Sequence, residues 1–161
     1  MTDTVIRNAD TAADVHAVGG LFLEYAARHV GPDLTVESMT AEIATLPGEF
    51  QPPRGRLLLA MVRGESAGCV GLRPLDAEVA EVKRLFVRPE LRGLGIGRLL
   101  LSRLQSEARR AGYRRLRLDT INEMRAAIEL YRSFGFQEIA AYHDDFIEPR
   151  RFFELELGPA G

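Results

Sequence analysis

Cysteine and lysine are almost missing from this chain of 161 residues: each occurs once, as Cys69 and Lys83. A single cysteine rules out an intrachain disulfide. Its place in the apolar run Ala67-Gly68-Cys69-Val70-Gly71 suits a small buried thiol rather than a reactive one. Arginine fills the other basic positions along the whole chain, a compositional bias that marks no site. An excess of charge is also absent, with 21 basic against 23 acidic residues. That balance argues against a partner such as nucleic acid or a membrane surface gripped by bulk charge. The one dense basic stretch, Arg109, Arg110, Arg114, Arg115 and Arg117, brackets a predicted helix C-terminus, where cations are favoured anyway. No run approaches the roughly 20 apolar residues that span a bilayer, and no charged segment leads into an apolar stretch at the start. The expected location is therefore the cytoplasm. Repeats and low-complexity tracts are lacking too, and the length suits one domain, expected over 1–161, burying about 70% of its unfolded surface.

What is present begins with Leu85-Phe86-Val87-Arg88-Pro89-Glu90-Leu91-Arg92-Gly93-Leu94-Gly95-Ile96-Gly97-Arg98. An apolar strand enters a Pro-marked turn, then three glycines at alternate positions open an amphipathic helix. Glycines let backbone approach a ligand closely, and a helix start offers unpaired N–H groups and the positive end of its dipole. Arg92 and Arg98 add cationic donors. The arrangement suits a phosphate anion, or otherwise a glycine-softened turn before a core helix. A Walker-type loop fails, because Arg98-Leu99-Leu100 supplies neither the lysine nor the hydroxyl. The dinucleotide pattern Gly-x-Gly-x-x-Gly fails in both registers, with Arg98 or Leu100 where the third glycine belongs. Asp119, at the end of the next strand, only mimics the ribose-binding acid of that pattern.

Periodicity predicts strands at Thr4–Asn8, Arg56–Val62, Ser66–Leu72, Glu78–Val87, Arg115–Asp119, Phe136–Tyr142 and Arg151–Leu157. Helices are predicted over Ala12–Arg28, Glu37–Thr45 with Thr35 as cap, the glycine loop to about Ala111, and Met124–Phe134. The segment Leu46 to Pro53 reads as a surface loop, and Arg103, Glu107 and Arg110 are expected to face water. The order βααβββαβαββ predicts an α+β (mixed α/β) domain with one central sheet.

The pattern Arg/Gln-x-x-Gly-x-Gly/Ala is met by Arg92, Gly95 and Gly97, and resembles the coenzyme A-binding motif of the GCN5-related N-acetyltransferases. Downstream, Ala126-Ala127-Ile128-Glu129-Leu130-Tyr131-Arg132-Ser133-Phe134-Gly135-Phe136 is similar to that family's Ala-x-x-Leu-Tyr-x-x-x-Gly-Phe segment. The resemblance, to small bacterial members, covers nearly the whole chain. It implies a mostly antiparallel sheet with helices on both faces, splayed at the cofactor cleft, and acetyl-coenzyme A as acyl donor without metal or nicotinamide. Pantetheine would lie along Leu85, Phe86 and Val87, and the pyrophosphate on Arg92, Gly93, Leu94, Gly95, Ile96, Gly97 and Arg98. The family often has Asn seven residues before the tyrosine; here Met124 stands there, and the contact is not transferred to Asn122.

The implied reaction moves acetyl directly to an amine in a ternary complex. An aliphatic amine of pKa ~10.4 is neutral in only about one molecule in ~2,500 at pH 7, a penalty of roughly 4.6 kcal/mol, so a base helps. Glu81, on the motif strand, matches the position where some members carry a catalytic glutamate; it could equally be a strand carboxylate paired with Lys83 or an arginine. Alternation places it on one face with Lys83, Leu85 and Val87. His143, in Tyr142-His143-Asp144-Asp145, is the rival because histidine titrates near working pH, and water is a third choice. Tyr131 matches the family's general acid toward the departing sulfur, or else is a packing tyrosine. The resemblance places the acceptor wall at Tyr25 to Leu34 and Tyr142 to Pro149. The acceptor stays open among a free amino acid, a polyamine, an aminoglycoside, a drug-like amine and a protein amine, and a homodimer is allowed. Two other readings also stand, a non-catalytic acyl-coenzyme A sensor and a partner-binding scaffold.

Overall fold

The computed structural model describes residues 3–29 and 31–158. The edge strand β1 (Thr4–Asn8) leads into α1 (Ala12–Arg28), whose first turn is closed by the Thr11 hydroxyl accepting from the Asp14 N–H at 3.1 Å. The short α2 (Val36–Ile43) starts, as expected, at Thr35, which exchanges hydrogen bonds with Ser38 in a capping box. The segment read as a surface loop holds a 3-10 turn, Gly48–Phe50, that buries Phe50. That ring fills the space beside Gly71, 2.7 Å from where a Cβ would stand. Then follow β2 (Arg56–Val62), β3 (Glu65–Pro74), β4 (Val79–Val87), α3 (Ile96–Arg110), β5 (Arg115–Thr120), α4 (Arg125–Ser133), β6 (Gln137–Ile139) and β7 (Arg151–Glu156).

The strands form one sheet in the order β1-β2-β3-β4-β5-β7-β6, antiparallel throughout except between β4 and β5. Helices α1 and α2 cover one face over Leu57, Leu59, Cys69 and Phe86. Helices α3 and α4 cover the other over Leu58, Val70, Leu72, Ala80 and Val82. Leu100, Leu101 and Leu104 of α3 are fully buried there, each contributing about 1.5–3 kcal/mol. The α+β class and the splayed sheet expected from the sequence are therefore present. Among the described residues no helix is long and apolar enough to cross a membrane.

Two features of β4 position the site. It pairs with β5 only over Val79–Glu81 against Arg115–Arg117. Beyond that, β4 continues beside β3 and β5 beside β7, so the sheet opens between them. β4 also carries a bulge, since Cys69 pairs with Phe86 and Gly71 with Lys83, setting three steps on β4 against two on β3. Arg84 sits in the bulge at φ +60° and is held by two hydrogen bonds to Glu42, at 2.8 and 3.0 Å. This corrects the expected alternation. Leu85 and Val87 pack on the α3/α4 core with Ala80 and Val82, so Glu81 and Lys83 point to the α1/α2 side.

Two further expectations change. The strand predicted to reach Tyr142 stops at Ile139, because the chain after it turns into the opening. Glu107 does not face water; it is buried and accepts from Arg56 at 2.8 Å, Arg103 at 3.1 Å and Arg110 at 3.2 Å, tying β2 to α3.

Candidate active site

At the open end of β4 the chain forms a cleft of about 560 Å³. Its floor is Leu85, Phe86 and Val87, one wall is the glycine loop, and the other is Met124 to Leu130 around the start of α4. Gly93 and Gly95 take φ +84° and +80°, conformations that favour glycine. Gly95 is the N-cap of α3, no side chain caps that helix, and its first turn carries no acid. The first-turn N–H groups therefore face the cleft unclaimed by any side chain, an anion-binding end. Gly97 keeps the wall thin, since a Cβ there would stand 3.3 Å from Leu130 and 3.8 Å from Val87. Arg92 donates to the Val87 carbonyl at 3.1 Å and Arg98 to the Ser133 hydroxyl at 2.9 Å, which holds both cations at the rim.

On the α1/α2 side, the opening is lined by charged and aromatic side chains from distant segments. Glu81 is 1% exposed and its carboxylate accepts from Arg73 at 2.8 Å and from the Tyr142 hydroxyl at 2.5 Å, with Lys83 at 3.6 Å. Burial, followed by the Glu81 charge, pushes the Tyr142 phenol far up, so it stays a donor. Across the gap on β5, Asp119 holds the His143 imidazole and lies 3.4 Å from Arg150. The His143 side chain is 28% exposed and stands among Tyr142, Phe146 and Phe152, with ring centroids 5.2 to 5.6 Å apart.

The two segments expected to form the acceptor wall meet here. Asp33 accepts from the Ile147 and Glu148 N–H groups at 2.7 and 2.9 Å, and His29 contacts Glu148 at 2.7 Å. Arg150 closes the network on Glu148 at 3.2 Å and Asp33 at 3.6 Å. Glu81, Asp119 and His143 bring ligand-type atoms within 4.8 Å of one another. The two carboxylates of that cluster are already paired, Glu81 with Arg73 and Lys83 and Asp119 with Arg150, so their charge is answered without a metal ion.

Tyr131 of α4 is buried and is not among the residues lining the cleft, although Ala127 and Leu130 of the same helix are; its ring lies 5.6 Å from Phe136. Burial, and then the nearby Tyr25 and Asp119, push its phenol well above the usual tyrosine value, so the hydroxyl remains a proton donor at working pH.

Of the predicted cofactor residues, Leu85, Phe86, Val87, Arg92, Gly93, Gly95, Ile96, Gly97 and Arg98 line the cleft together, while Leu94 turns its side chain to solvent. Met124 lines it and Asn122 does not. Asp144 and Asp145 are exposed, whereas the Asp119 side chain is buried against His143. Sequence reasoning missed Asp119, Arg150 and the Arg84–Glu42 pair as parts of the site. Only Asp119 carried a signal, a polar residue at the end of an apolar strand, and that cannot show what it will meet; Arg84 lies within a strand, Glu42 on a helix and Arg150 in a connection.

The profile of the acetyltransferase (GNAT) family matches residues 23–136. An uncharacterized N-acetyltransferase of Schizosaccharomyces pombe is 36% identical over 129 residues, 79% of each chain, so the likeness is not confined to bacteria. The yncA acetyltransferase of Salmonella typhimurium, solved with its cofactor acetyl-CoA, superposes with a TM-score of 0.70 at 25% identity over 96% of this chain and 94% of that one. A GNAT-family acetyltransferase of Staphylococcus aureus shares the fold with a TM-score of 0.77 at 20% identity, over 96% of this chain and 99% of that one.

Proposed function

We propose, for a chain that belongs to the acetyltransferase (GNAT) family and is an acetyl-CoA-dependent acyltransferase, that it moves acetyl directly to the amine of a small acceptor in a ternary complex. The observation that carries this reading is the opening between β4 and β5, which joins an anion-suited cleft on one side to the Asp119–His143 pair on the other.

In this reading the cofactor pyrophosphate rests on the glycine loop and the first turn of α3. Pantetheine follows the backbone of Leu85, Phe86 and Val87, and the thioester reaches the opening. The amine enters from the α1/α2 side, where Asp119 attracts it as a cation. His143 takes its proton, held in orientation by Asp119, as an aspartate commonly orients a catalytic imidazole. The neutral nitrogen attacks the carbonyl carbon, and the Tyr131 hydroxyl donates to the departing sulfur. A thiol of pKa ~8.5 leaves readily, so the phenol, held above the usual tyrosine value, stabilises developing charge more than it transfers a full proton.

Glu81 serves here mainly as a holder of Arg73, Lys83 and Tyr142. One observation keeps it as a second reading for the base: the Tyr142 hydroxyl could pass a proton to its carboxylate at 2.5 Å. A sensor or scaffold would need neither a protonated Tyr131 nor an imidazole held at the opening. Incubation with acetyl-CoA and a panel of amines, read as free thiol, tests the proposal. Amine-dependent release is expected, and release with no amine in the panel would contradict it.

A further inference from the structure

Lys83, the sole lysine of the chain, lies two residues beyond the last β4–β5 pair and directly before the bulge. Alternation with Ala80 and Val82 turns it to the α1/α2 side, where its side chain is 21% exposed. The neighbouring cations have close partners. Arg73 donates to Glu81 at 2.8 Å and to Glu49 at 2.9 Å, Arg84 to Glu42 at 2.8 and 3.0 Å, and Arg150 to Glu148 at 3.2 Å. The carboxylate beside Lys83 is Glu81 at 3.6 Å, beyond hydrogen-bond length and already engaged by Arg73 and Tyr142. An ammonium carries three donors, and leaving them unmatched while partly buried is unfavourable. Burial accordingly holds this amine below the usual lysine value, against the pull of Glu81 and Asp119.

The opening thus has two electrostatic ends. Asp119 and His143 form one, suited to an amine, and the Lys83 ammonium, whose contact with Glu81 at 3.6 Å is longer than a hydrogen bond, forms the other. A simple cationic amine would leave Lys83 unmatched and feel its repulsion. A molecule carrying both an amine and a carboxylate satisfies both ends at once.

We propose that Lys83 holds the carboxylate of the acceptor, so that the acceptor is an amino acid or another amine bearing a carboxylate. The inference rests on the acetyl-transfer reading above. It is tested with matched acceptors, each amino acid set against its primary amide and its decarboxylated amine. The acid form should be preferred by about ten- to hundredfold in kcat/KM, mostly through KM, the range expected of a hydrogen bond to a charged group. Lys83→Gln should reduce that preference to about twofold or less, and Lys83→Arg should restore part of it. A wild-type preference for the amide or the decarboxylated amine, or a preference that survives in Lys83→Gln, overturns the proposal. Acetyl-CoA affinity and Tm check that the variants fold, and if Lys83→Gln does not, the wild-type preference decides alone. If no amine yields thiol, the acetyl-transfer reading has failed and the anchor is read by calorimetry of the acids and amides with coenzyme A present. Binding of the acid but not the amide then supports Lys83, and equal or absent binding overturns it.

Discussion

The two sides of the β4–β5 opening are built from different materials. The cofactor side is mainly backbone: two left-handed glycines, an uncapped helix start, and the main chain of Leu85 to Val87. The acceptor side is side chains, with Glu81, Lys83, Asp119, His143 and Arg150 drawn from β4, β5 and the segment before β7 and held by one another. A backbone surface tolerates changes in its side chains but fails when its glycines change. A side-chain surface keeps its fold when one member changes but loses chemistry or selectivity.

The largest expected effect falls on the backbone side. In Gly95→Val a β-branched residue is forced to φ +80°, although its Cβ would meet nothing within 4 Å, so the harm is conformational. Straightening the loop should weaken acetyl-CoA binding by about a hundredfold or more, since left-handed backbone costs roughly 1–2 kcal/mol for an ordinary residue and the anion site is lost with it. Calorimetry reads this, and near-normal affinity in a folded variant would refute the backbone account.

Tyr131→Phe comes next. It keeps the ring against Phe136 and removes the hydroxyl, so kcat should fall about a hundredfold, at the lower end of general-acid effects, with KM for acetyl-CoA and Tm nearly unchanged. An unchanged kcat would make Tyr131 a packing residue. Because its phenol is pushed upward, no activity change below about pH 9 should trace to its ionisation.

His143→Ala should cost about tenfold near pH 6.5 and progressively less toward pH 10, where a far larger share of the amine is already neutral. Glu81→Gln, in contrast, should lower activity evenly across pH by loosening Tyr142 and Lys83. Rate profiles of both variants separate the two assignments, and a loss confined to low pH in Glu81→Gln would return the base to Glu81.

The smallest effect on catalysis belongs to Glu107, far from the opening. Burial raises its carboxyl, but Arg56 and Arg103 outweigh burial and hold it below the usual range. A depressed carboxylate contributes stability above its unfolded value, and that stability is lost as pH falls through the folded one. Glu107→Gln should therefore unfold more easily at pH 7 by about 1–3 kcal/mol, with the gap to wild type closing below about pH 4. Denaturant titrations at the two pH values measure it, and kcat should not change.

The same contrast explains what the sequence could show. The cofactor side was legible because its determinants lie within one stretch, Leu85 to Arg98, where strand, turn, glycines and helix follow in order. Tyr131 stood out through the segment around it. The acceptor side was only partly legible. Its two segments could be named, but Asp119 and His143 meet only because β5 leaves β4 after Arg117. The face of Glu81 and Lys83 was misjudged because the bulge rests on Arg84, a residue with no local preference for φ +60°, held by Glu42 from α2. A period-two pattern cannot register one extra residue that a distant carboxylate stabilises.

The central claim is that both sides of the opening work on one acetyl group in one complex. Initial rates of thiol release measured over a grid of acetyl-CoA and acceptor concentrations test it directly. Double-reciprocal lines that intersect, with release dependent on the amine, are the predicted result. Parallel lines, which signal an acyl-enzyme, or tight acetyl-CoA binding with no amine-dependent release, would contradict it.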